Sequence, residues 1–334
     1  MSAMINADQL EHQCYLVTGC AGFIGAQVAQ KLLAVGKQVI GVDNLNDYYD
    51  VRIKNHRLSA LPPCENFKFQ QMDLEDRVSV SKLFDLGPID CVINLAARAG
   101  VRYSTENPFV YLSTNAEGSL NLLFEMQQRG IKKFVLASTS SLYAGQAMPF
   151  REDLPVNTPL SPYAASKKAA EVMAYSYHYL QKIDVSVVRY FTVYGPAGRP
   201  DMSIFRFIKW IDEGTPIIVY GDGTQSRDFT YVDDIATGTI LATRKVGYEI
   251  INLGGGNQPV ELNWIIQEIE RLLGKKAVID RRDFHAADMT ATWADIDKAE
   301  TLLGWKPTIS VEEGLQRTVQ WHKDHQQWIR DINV

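Results

Sequence analysis

The chain has 334 residues, of which 46% are hydrophobic and 22% charged, so it can bury a large core in one big or two fused domains. Its formal net charge of -5 provides no basic footprint, and we expect no nucleic-acid partner. No apolar run reaches the roughly 18 residues of a membrane-spanning helix. The segment before Cys14 carries acids and a His rather than the pattern of a signal peptide. We therefore expect a cytoplasmic protein with no membrane partner.

Cysteine and histidine spacing indicates no metal site. The four cysteines, at 14, 20, 64 and 91, form no Cys-x-x-Cys pair, and only His322 and His325 of the six histidines fall close together. The cysteines are typical of small buried side chains in a reducing compartment. We predict no bound metal.

A glycine loop follows the first strand-like run, Cys14 to Val17, and precedes a helical pattern. Its glycines are Gly19, Gly22 and Gly25, with Phe23 and Ile24 between the last two. The first glycine permits a tight turn, the second lets a pyrophosphate approach the backbone, and the third allows close helix packing. Free N-H groups at the helix start would face the phosphates. A plain turn is the alternative interpretation.

The next strand-like run ends at Asp43, which lies 18 residues after Gly25. An acidic residue at the end of the second strand of a dinucleotide fold accepts both ribose hydroxyls and repels a 2'-phosphate. The spacing therefore predicts NAD rather than NADP. A strand-terminal Asp is also common in ordinary turns.

Strand-like runs then alternate with helical patterns near 76-85, 107-128 and 161-181. This alternation predicts an α/β fold with a doubly wound parallel (Rossmann) sheet. Ligands bind at the carboxyl ends of such strands, where the chain places Asp73, Ala96, Ala97 and Ser138.

The character of the chain changes after residue 195. Glycine- and aspartate-rich loops mix with short helical patterns (203-213, 261-273, 295-303, 311-326) and strand-like pieces (216-220, 249-253, 277-280). We predict a Rossmann domain over 13-195 and a smaller mixed α/β substrate-binding lobe over 196-330, with interleaving of the two left open.

Tyr163 and Lys167 stand four residues apart in a helical pattern, and this spacing places both side chains on one helix face. A fixed cation favours the phenolate and lowers the pKa of a tyrosine, which makes it a base. The alternative is an amphipathic helix with one exposed lysine.

Taken in order, these motifs resemble those of the extended short-chain dehydrogenases that act on nucleotide sugars, from about residue 13 to residue 320. The motifs include Ser138 to Ser141 and the run from Arg189 to Pro196. Within that group, residues 44-50, 99-104 and 198-202 are similar to those of UDP-glucuronate 4-epimerases. The resemblance implies epimerisation of UDP-glucuronate to UDP-galacturonate through a 4-keto intermediate, with NAD kept bound.

The resemblance also implies roles for individual residues. Tyr163 is the expected base, Lys167 is its electrostatic partner, and Thr139 is the hydroxyl at the sugar O4. Ser140 is a further expected catalytic residue. The expected NAD contacts are Gly19, Gly22, Phe23, Ile24, Gly25, Asp43, Asn44, Asp73, Leu74, Leu95, Ala96, Ala97, Asn115, Ser138, Tyr163, Lys167, Tyr190 and Val193. The expected UDP-sugar contacts are Arg102, Ser140, Ser141, Thr192, Arg199 and Arg227.

The uronate would need its own clamp. A C4 ketone makes the C6 carboxylate a β-keto acid that loses carbon dioxide readily, and a guanidinium binds a carboxylate through two parallel hydrogen bonds. We therefore assign Arg199 to the carboxylate. Ser140 and Ser141 stand where decarboxylases and dehydratases carry carboxyl groups, which favours simple epimerisation.

Two departures from the family pattern concern the UDP half and a turn. His285 stands where relatives carry a second diphosphate arginine, for which Arg281 or Arg282 could substitute, and Ala144 replaces a glycine. Alanine tolerates positive φ poorly, so the local turn is uncertain.

Several alternatives remain at this stage: an epimerase of a neutral UDP-hexose or UDP-pentose, a UDP-glucuronate decarboxylase or dehydratase relative, a dehydrogenase that releases NADH, and a non-enzymatic NAD-sensing scaffold. The helices at 107-128 and 161-181 look like those of a dimer interface in relatives, so we expect a homodimer.

Overall fold

The computed structural model describes residues 5, 7, 10-256, 259-284 and 289-334. Thirteen helices occur in this described part, together with a π-helical segment Leu112–Glu117 and a 3-10 turn Ser140–Tyr143. The helices are α1 Phe23–Ala34, α2 Val51–Ser59, α3 Arg77–Leu83, α4 Val101–Glu106, α5 Phe109–Tyr111, α6 Gly118–Arg129, α7 Pro162–Gln181, α8 Ser203–Glu213, α9 Val232–Leu241, α10 Leu262–Leu273, α11 Asp297–Leu303, α12 Val311–Asp324 and α13 Gln326–Ile329.

Seven parallel strands form the central sheet. They are β1 Cys14–Thr18, β2 Gln38–Asp43, β3 Phe67–Gln71, β4 Cys91–Asn94, β5 Lys133–Thr139, β6 Asp184–Tyr190 and β11 Tyr248–Leu253, and their spatial order is β11-β6-β5-β4-β1-β2-β3. The order reverses beside β1, between the glycine loop and the end of β4. Ligands bind at such a switch point in doubly wound folds.

Alternation along the buried strands divides the core between the two faces of the sheet. In β1, Tyr15 and Val17 pack with α1 and α9, whereas Cys14 and Leu16 pack with α6 and α7. Successive side chains of a strand point to opposite faces, so a fully apolar strand needs helices on both sides. This is the three-layer arrangement that the sequence predicts.

The smaller lobe contains the remaining strands in three two-stranded pairs. The strands are β7 Thr192–Tyr194, β8 Ile217–Tyr220, β9 Ser226–Arg227, β10 Phe229–Tyr231, β12 Val260–Glu261 and β13 Ile279–Arg282. β7 pairs with β10, β8 with β13, and β9 with β12. Isoleucines and aromatic rings of α8 and α10 bury the centre of this lobe.

The structure corrects several sequence-based boundaries. The single helix expected at 107-128 consists of α5, the π-helical segment and α6, and neither α2 nor α9 was predicted. β11 was assigned to the lobe but pairs with β6 in parallel, Tyr248 opposite Val185, because its apolar residues complete the sheet core. The 196-330 range therefore contributes α9 and β11 to the first domain.

Among the described residues, no helix is long and apolar enough to cross a membrane.

Candidate active site

A cavity of about 710 Å³ lies between the carboxyl ends of the sheet strands and the smaller lobe. It is lined by most of the residues that the sequence assigned to ligand binding. These are Gly19, Gly22, Phe23, Ile24, Gly25, Leu95, Ala97, Arg102, Ser138, Thr139, Ser140, Ser141, Tyr163, Lys167, Tyr190, Thr192, Val193, Arg199 and Arg227.

Six of the assigned cofactor residues lie outside the cavity lining: Asp43, Asn44, Asp73, Leu74, Ala96 and Asn115. Leu74 is a buried core residue. The Asn115 side chain accepts from Arg98 N and donates to the Arg98 carbonyl and the Ser166 hydroxyl. Asn44 donates to Asp73 at 2.9 Å. Leu74 is thus occupied by core packing, and the Asn115 side chain by hydrogen bonds within the protein.

The glycine loop fits a dinucleotide pyrophosphate. Gly19 has φ +65, and a Cβ there would lie 2.8 Å from the Ala96 nitrogen, while a Cβ on Gly25 would lie 2.0 Å from the Gly19 oxygen. No side chain caps the N-terminus of α1 at Gly22, so its first N-H groups are available to an anion. The bare backbone and the helix dipole together suit NAD phosphates.

Asp43 ends β2, as the sequence predicts, at the same edge of the sheet. Its Oδ1 accepts from Leu45 N at 2.8 Å and lies 3.5 Å from Lys54 Nζ. Both contacts use Oδ1.

Helix α7 places Tyr163 and Lys167 in the cavity wall. Ser161 caps this helix by accepting from Ala164 N at 3.2 Å, and Pro162 follows at a position that suits proline. Lys167 is one turn after Tyr163, and its Nζ donates to the Ala137 carbonyl at 3.0 Å. The cap and that hydrogen bond fix both side chains relative to the end of β5.

The pKa of the Tyr163 phenol is raised, because burial outweighs the lowering influences of the Thr139 hydroxyl and the Arg199 charge. Burial also lowers the pKa of Lys167 to about 8, against the opposing charge of Glu171. The expectation that a neighbouring cation gives Tyr163 a lowered pKa is therefore wrong for this structure. Sequence spacing locates the cation but does not reveal how deeply both groups are buried.

Thr139 ends β5 and serves two purposes. Its Oγ1 accepts from Ser141 N at 3.1 Å, which caps the 3-10 turn, and the same hydroxyl interacts with the Tyr163 phenol. The cap and the functional interpretation were alternatives from sequence. The structure accommodates both, because a threonine hydroxyl can accept and donate at once.

Arg199 lies close enough to Tyr163 to influence its pKa, but its guanidinium is already engaged. Nε and Nη2 donate to the two oxygens of Asp201 at 3.1 and 2.6 Å, and Nη2 also donates to the Ala99 carbonyl at 3.2 Å. Burial works to lower the pKa of Arg199, yet Asp201 raises it overall. A sugar carboxylate that accepted from both Nε and Nη2 would compete with Asp201 for these donors. Nη1 is the nitrogen that these hydrogen bonds leave for another acceptor.

The other assigned arginines lie toward the lobe. The Arg102 guanidinium stands 3.8 Å from the Tyr220 ring centroid, and Arg227 Nη1 donates to the carbonyls of Ser226 and Thr290 at 2.9 and 3.3 Å. Both line the cavity.

Of the two departures, His285 lies outside the described residues. Arg281 and Arg282 are exposed on β13, and neither lines the cavity. Ala144 has φ -52, and the positive φ falls on Gly145 at +86. The turn therefore forms without strain at the alanine.

Sequence reasoning missed several cavity residues. They are large side chains of the lobe: Arg206, Trp210, Tyr220 and Phe284. Arg206 and Trp210 lie on α8, whose helical pattern was recognised, but periodicity does not tell which polar face meets a cavity.

Known proteins resemble the chain along nearly its whole length. Residues 16-318 match the family model described as GDP-mannose 4,6 dehydratase. The UDP-glucuronate 4-epimerase of Thermodesulfobacterium geofontis is 61% identical over 320 residues, which cover 96% of this chain and 99% of that protein.

Two solved structures extend the comparison. The UDP-glucuronic acid 4-epimerase from Bacillus cereus, in complex with UDP-glucuronic acid and NAD, has a TM-score of 0.87 and 37% identity, covering 93% of this chain and 99% of that one. The UDP-glucose 4-epimerase of Thermotoga maritima, with UDP-glucose, has a TM-score of 0.83 and 30% identity, covering 94% and 99%.

Proposed function

The chain belongs to the GDP-mannose 4,6 dehydratase family of extended short-chain dehydrogenases, and we propose that it is an NAD-dependent UDP-glucuronate 4-epimerase. The observation that carries the proposal is the placement of Tyr163, Thr139 and Arg199 around one cavity beside the glycine loop. The first two suit proton transfer at the sugar O4, and the third suits a carboxylate. The product would be UDP-galacturonate.

When bound, NAD supplies reversible acceptance of a hydride from C4 of the sugar. The chain's own residues handle the proton and the charge. Tyr163 takes the proton of the O4 hydroxyl as C4 is oxidised and gives it back when the ketone is reduced, with Thr139 hydrogen-bonded between the alcohol and the phenol. Lys167, held to Ala137, contributes a positive charge that opposes, without outweighing, the effect of burial on the Tyr163 phenol.

Epimerisation requires the 4-keto sugar to present its other face before reduction. For the contacts that hold the UDP half during this movement, we propose Arg227 of the lobe and Arg102 of α4. Arg199 restrains the C6 carboxylate through Nη1, so that the C5-C6 bond does not align with the ketone. Ser140, Ser141 and Thr192 line the same wall and supply further donors.

The carboxylate content of the cavity argues against the sister reactions. Among the described residues that line it, Asp201 is the only carboxylate, and its two oxygens are bound to Arg199. Neither Ser140 nor Ser141 can act as the carboxyl acid or base of a dehydratase or a decarboxylase. Oxidation and reduction at C4 therefore remain as the chemistry that these side chains support.

For the cofactor, we propose that the glycine loop holds the pyrophosphate and that Asp43 Oδ2 holds the adenine ribose. Asn44 and Asp73 would lie at the adenosine end, while Leu95, Ala97, Ser138, Tyr190 and Val193 would border the nicotinamide half. A carboxylate at Asp43 supports NAD over NADP.

The proposal is tested by product identity. Purified protein is incubated separately with UDP-glucuronate, UDP-glucose and UDP-xylose, and the sugars are resolved by chromatography. We expect UDP-galacturonate from the first and at least 10-fold slower turnover of the other two. Faster conversion of UDP-glucose, or net accumulation of NADH, would contradict the proposal and favour a neutral-sugar epimerase or a dehydrogenase.

We also propose a homodimer that works in the cytoplasm. Exposed apolar side chains cluster on α5, the following π-helical segment and the outer face of α7, namely Phe109, Leu112, Val172, Tyr175 and Tyr179. Such a patch is typical of a protein interface. Four free thiols suit a reducing compartment. Light scattering that gives the mass of a single 37.6 kDa chain would contradict the dimer.

A further inference from the structure

Arg57 of α2 connects three parts of the chain with one buried side chain. Only 4% of the residue is exposed. Nε donates to the Ala197 carbonyl at 2.9 Å and Nη2 to the Gly198 carbonyl at 3.1 Å. Nη1 donates to the Ala21 carbonyl at 3.1 Å and to the Tyr49 hydroxyl at 2.8 Å.

These acceptors belong to the two ligand-binding segments of the cavity. Ala21 lies inside the glycine loop, between Gly19 and Gly22, and residues 197 and 198 immediately precede Arg199. Tyr49, the fourth partner, itself lines the cavity. A planar guanidinium can satisfy acceptors in several directions at once, which a lysine ammonium on a single flexible stem cannot reproduce.

No carboxylate pairs with Arg57 among the residues that the structure describes. Burying a cation is costly unless its donors are all satisfied. Three neutral carbonyl groups and one phenol accept from four of its five N-H groups, so the group gains little from charge pairing. The burial of Arg57 is therefore explained by the way in which its hydrogen bonds hold these backbone carbonyls in position.

The turn that Arg57 holds has an unfavourable conformation. Ala197 has φ 51, in the left-handed region, where a residue other than glycine is strained by its Cβ. Two hydrogen bonds from Arg57 to the carbonyls of Ala197 and Gly198 offset this cost. Without them, the segment would relax toward ordinary backbone angles and carry Arg199 with it.

We propose that Arg57 is a positioning residue that locks the Arg199 turn against the glycine loop and thereby sets the preference for a uronate over a neutral sugar. This inference rests on the proposed function, because it assumes that Arg199 meets the C6 carboxylate. Arg57 does not line the cavity. It acts through the backbone on either side of the cavity.

The test compares Arg57→Met and Arg57→Lys with Arg244→Met. Arg244 is a matched control, since it donates to a backbone carbonyl, that of Leu303 at 3.1 Å, and does not line the cavity. Dissociation constants for UDP-glucuronate, UDP-glucose and UDP are measured by calorimetry on the NAD-loaded proteins. The ratio of the UDP-glucose constant to the UDP-glucuronate constant defines the uronate preference.

We expect both Arg57 variants to reduce the uronate preference about 10-fold, with UDP binding changed less than 3-fold, and Arg244→Met to leave the preference unchanged. Amide hydrogen exchange should accelerate over residues 195-203 in the Arg57 variants alone. Arg57→Lys keeps the positive charge, so the uronate preference can still be compared with wild type if Arg57→Met does not fold. Adding Ala197→Gly to either variant should recover part of the preference, because glycine adopts positive φ freely.

The outcomes separate the two proposals. A wild-type protein that binds UDP-glucose as tightly as UDP-glucuronate would contradict the proposed function. A wild-type preference that survives in Arg57→Lys and Arg57→Met, or that falls equally in Arg244→Met, would overturn the role of Arg57 and leave the epimerase proposal standing.

Discussion

Replacing Arg199 with methionine should separate the recognition of the uronate from the rest of catalysis. Asp201 takes Nε and one Nη2 donor, and the Ala99 carbonyl takes the other Nη2 donor. Under the proposed function, Nη1 would therefore provide the contact to the carboxylate. A hydrogen bond to a charged group contributes about 1.5 to 3 kcal/mol, which corresponds to a loss of roughly 10- to 150-fold in kcat/KM for UDP-glucuronate.

The same change should affect a neutral sugar little, because UDP-glucose has a hydroxyl where the uronate has its carboxylate. The assay measures kcat/KM for both sugars by chromatography and records any decarboxylated 4-keto pentose, which should appear in the variant as the carboxylate loses its restraint. Arg227→Met is the comparison, since loss of a diphosphate contact should impair both sugars alike. Equal losses for both sugars in Arg199→Met would refute this reasoning.

Three further expectations concern pH and stability. Burial lowers the pKa of Lys167 to about 8, so its ammonium is lost as the pH rises through that value, and kcat/KM should fall above pH 8; a profile flat to pH 9.5 would contradict this. Glu171→Gln breaks the buried ion pair with Arg189 at 2.8 Å and should lower the free energy of unfolding, measured by chemical denaturation, by about 3 to 5 kcal/mol. Asp85→Asn, which breaks an exposed ion pair with Arg129, should lower it by under about 1 kcal/mol. Equal losses in the two variants would contradict this expectation. Ala197→Gly should stabilise by about 1 kcal/mol, and a lowered Tm would count against the strained turn.

Sequence alone was informative where function depends on neighbours in the chain. The glycine loop, Asp43 at the end of β2, and the Tyr163 and Lys167 pair all follow from short spacing and from the rule that parallel strands end at one edge. Thr139, the last residue of β5, was instead assigned from the family resemblance.

Features that depend on distant contacts were not predictable. Arg57 lies 141 residues from Gly198, and α2 itself was not recognised, because its polar sequence gives a weak helical pattern. Asp201 lies in the 198-202 segment that resembles the family, but its hydrogen bonds to Arg199 depend on how residues 197-202 fold. The predicted direction of the Tyr163 pKa shift was wrong for a related reason. Burial raises that pKa, and spacing along the chain does not reveal burial.

The fate of a deuterium at C4 tests the central claim most directly. UDP-glucuronate labelled with deuterium at C4 is incubated with the protein in ordinary water, and UDP-galacturonate is analysed by mass spectrometry and NMR. Transient oxidation within a closed site predicts that the product retains the label at C4, and that Tyr163→Phe forms product at least 100-fold more slowly. Loss of the label to water, or its recovery in released NADH, would contradict the account.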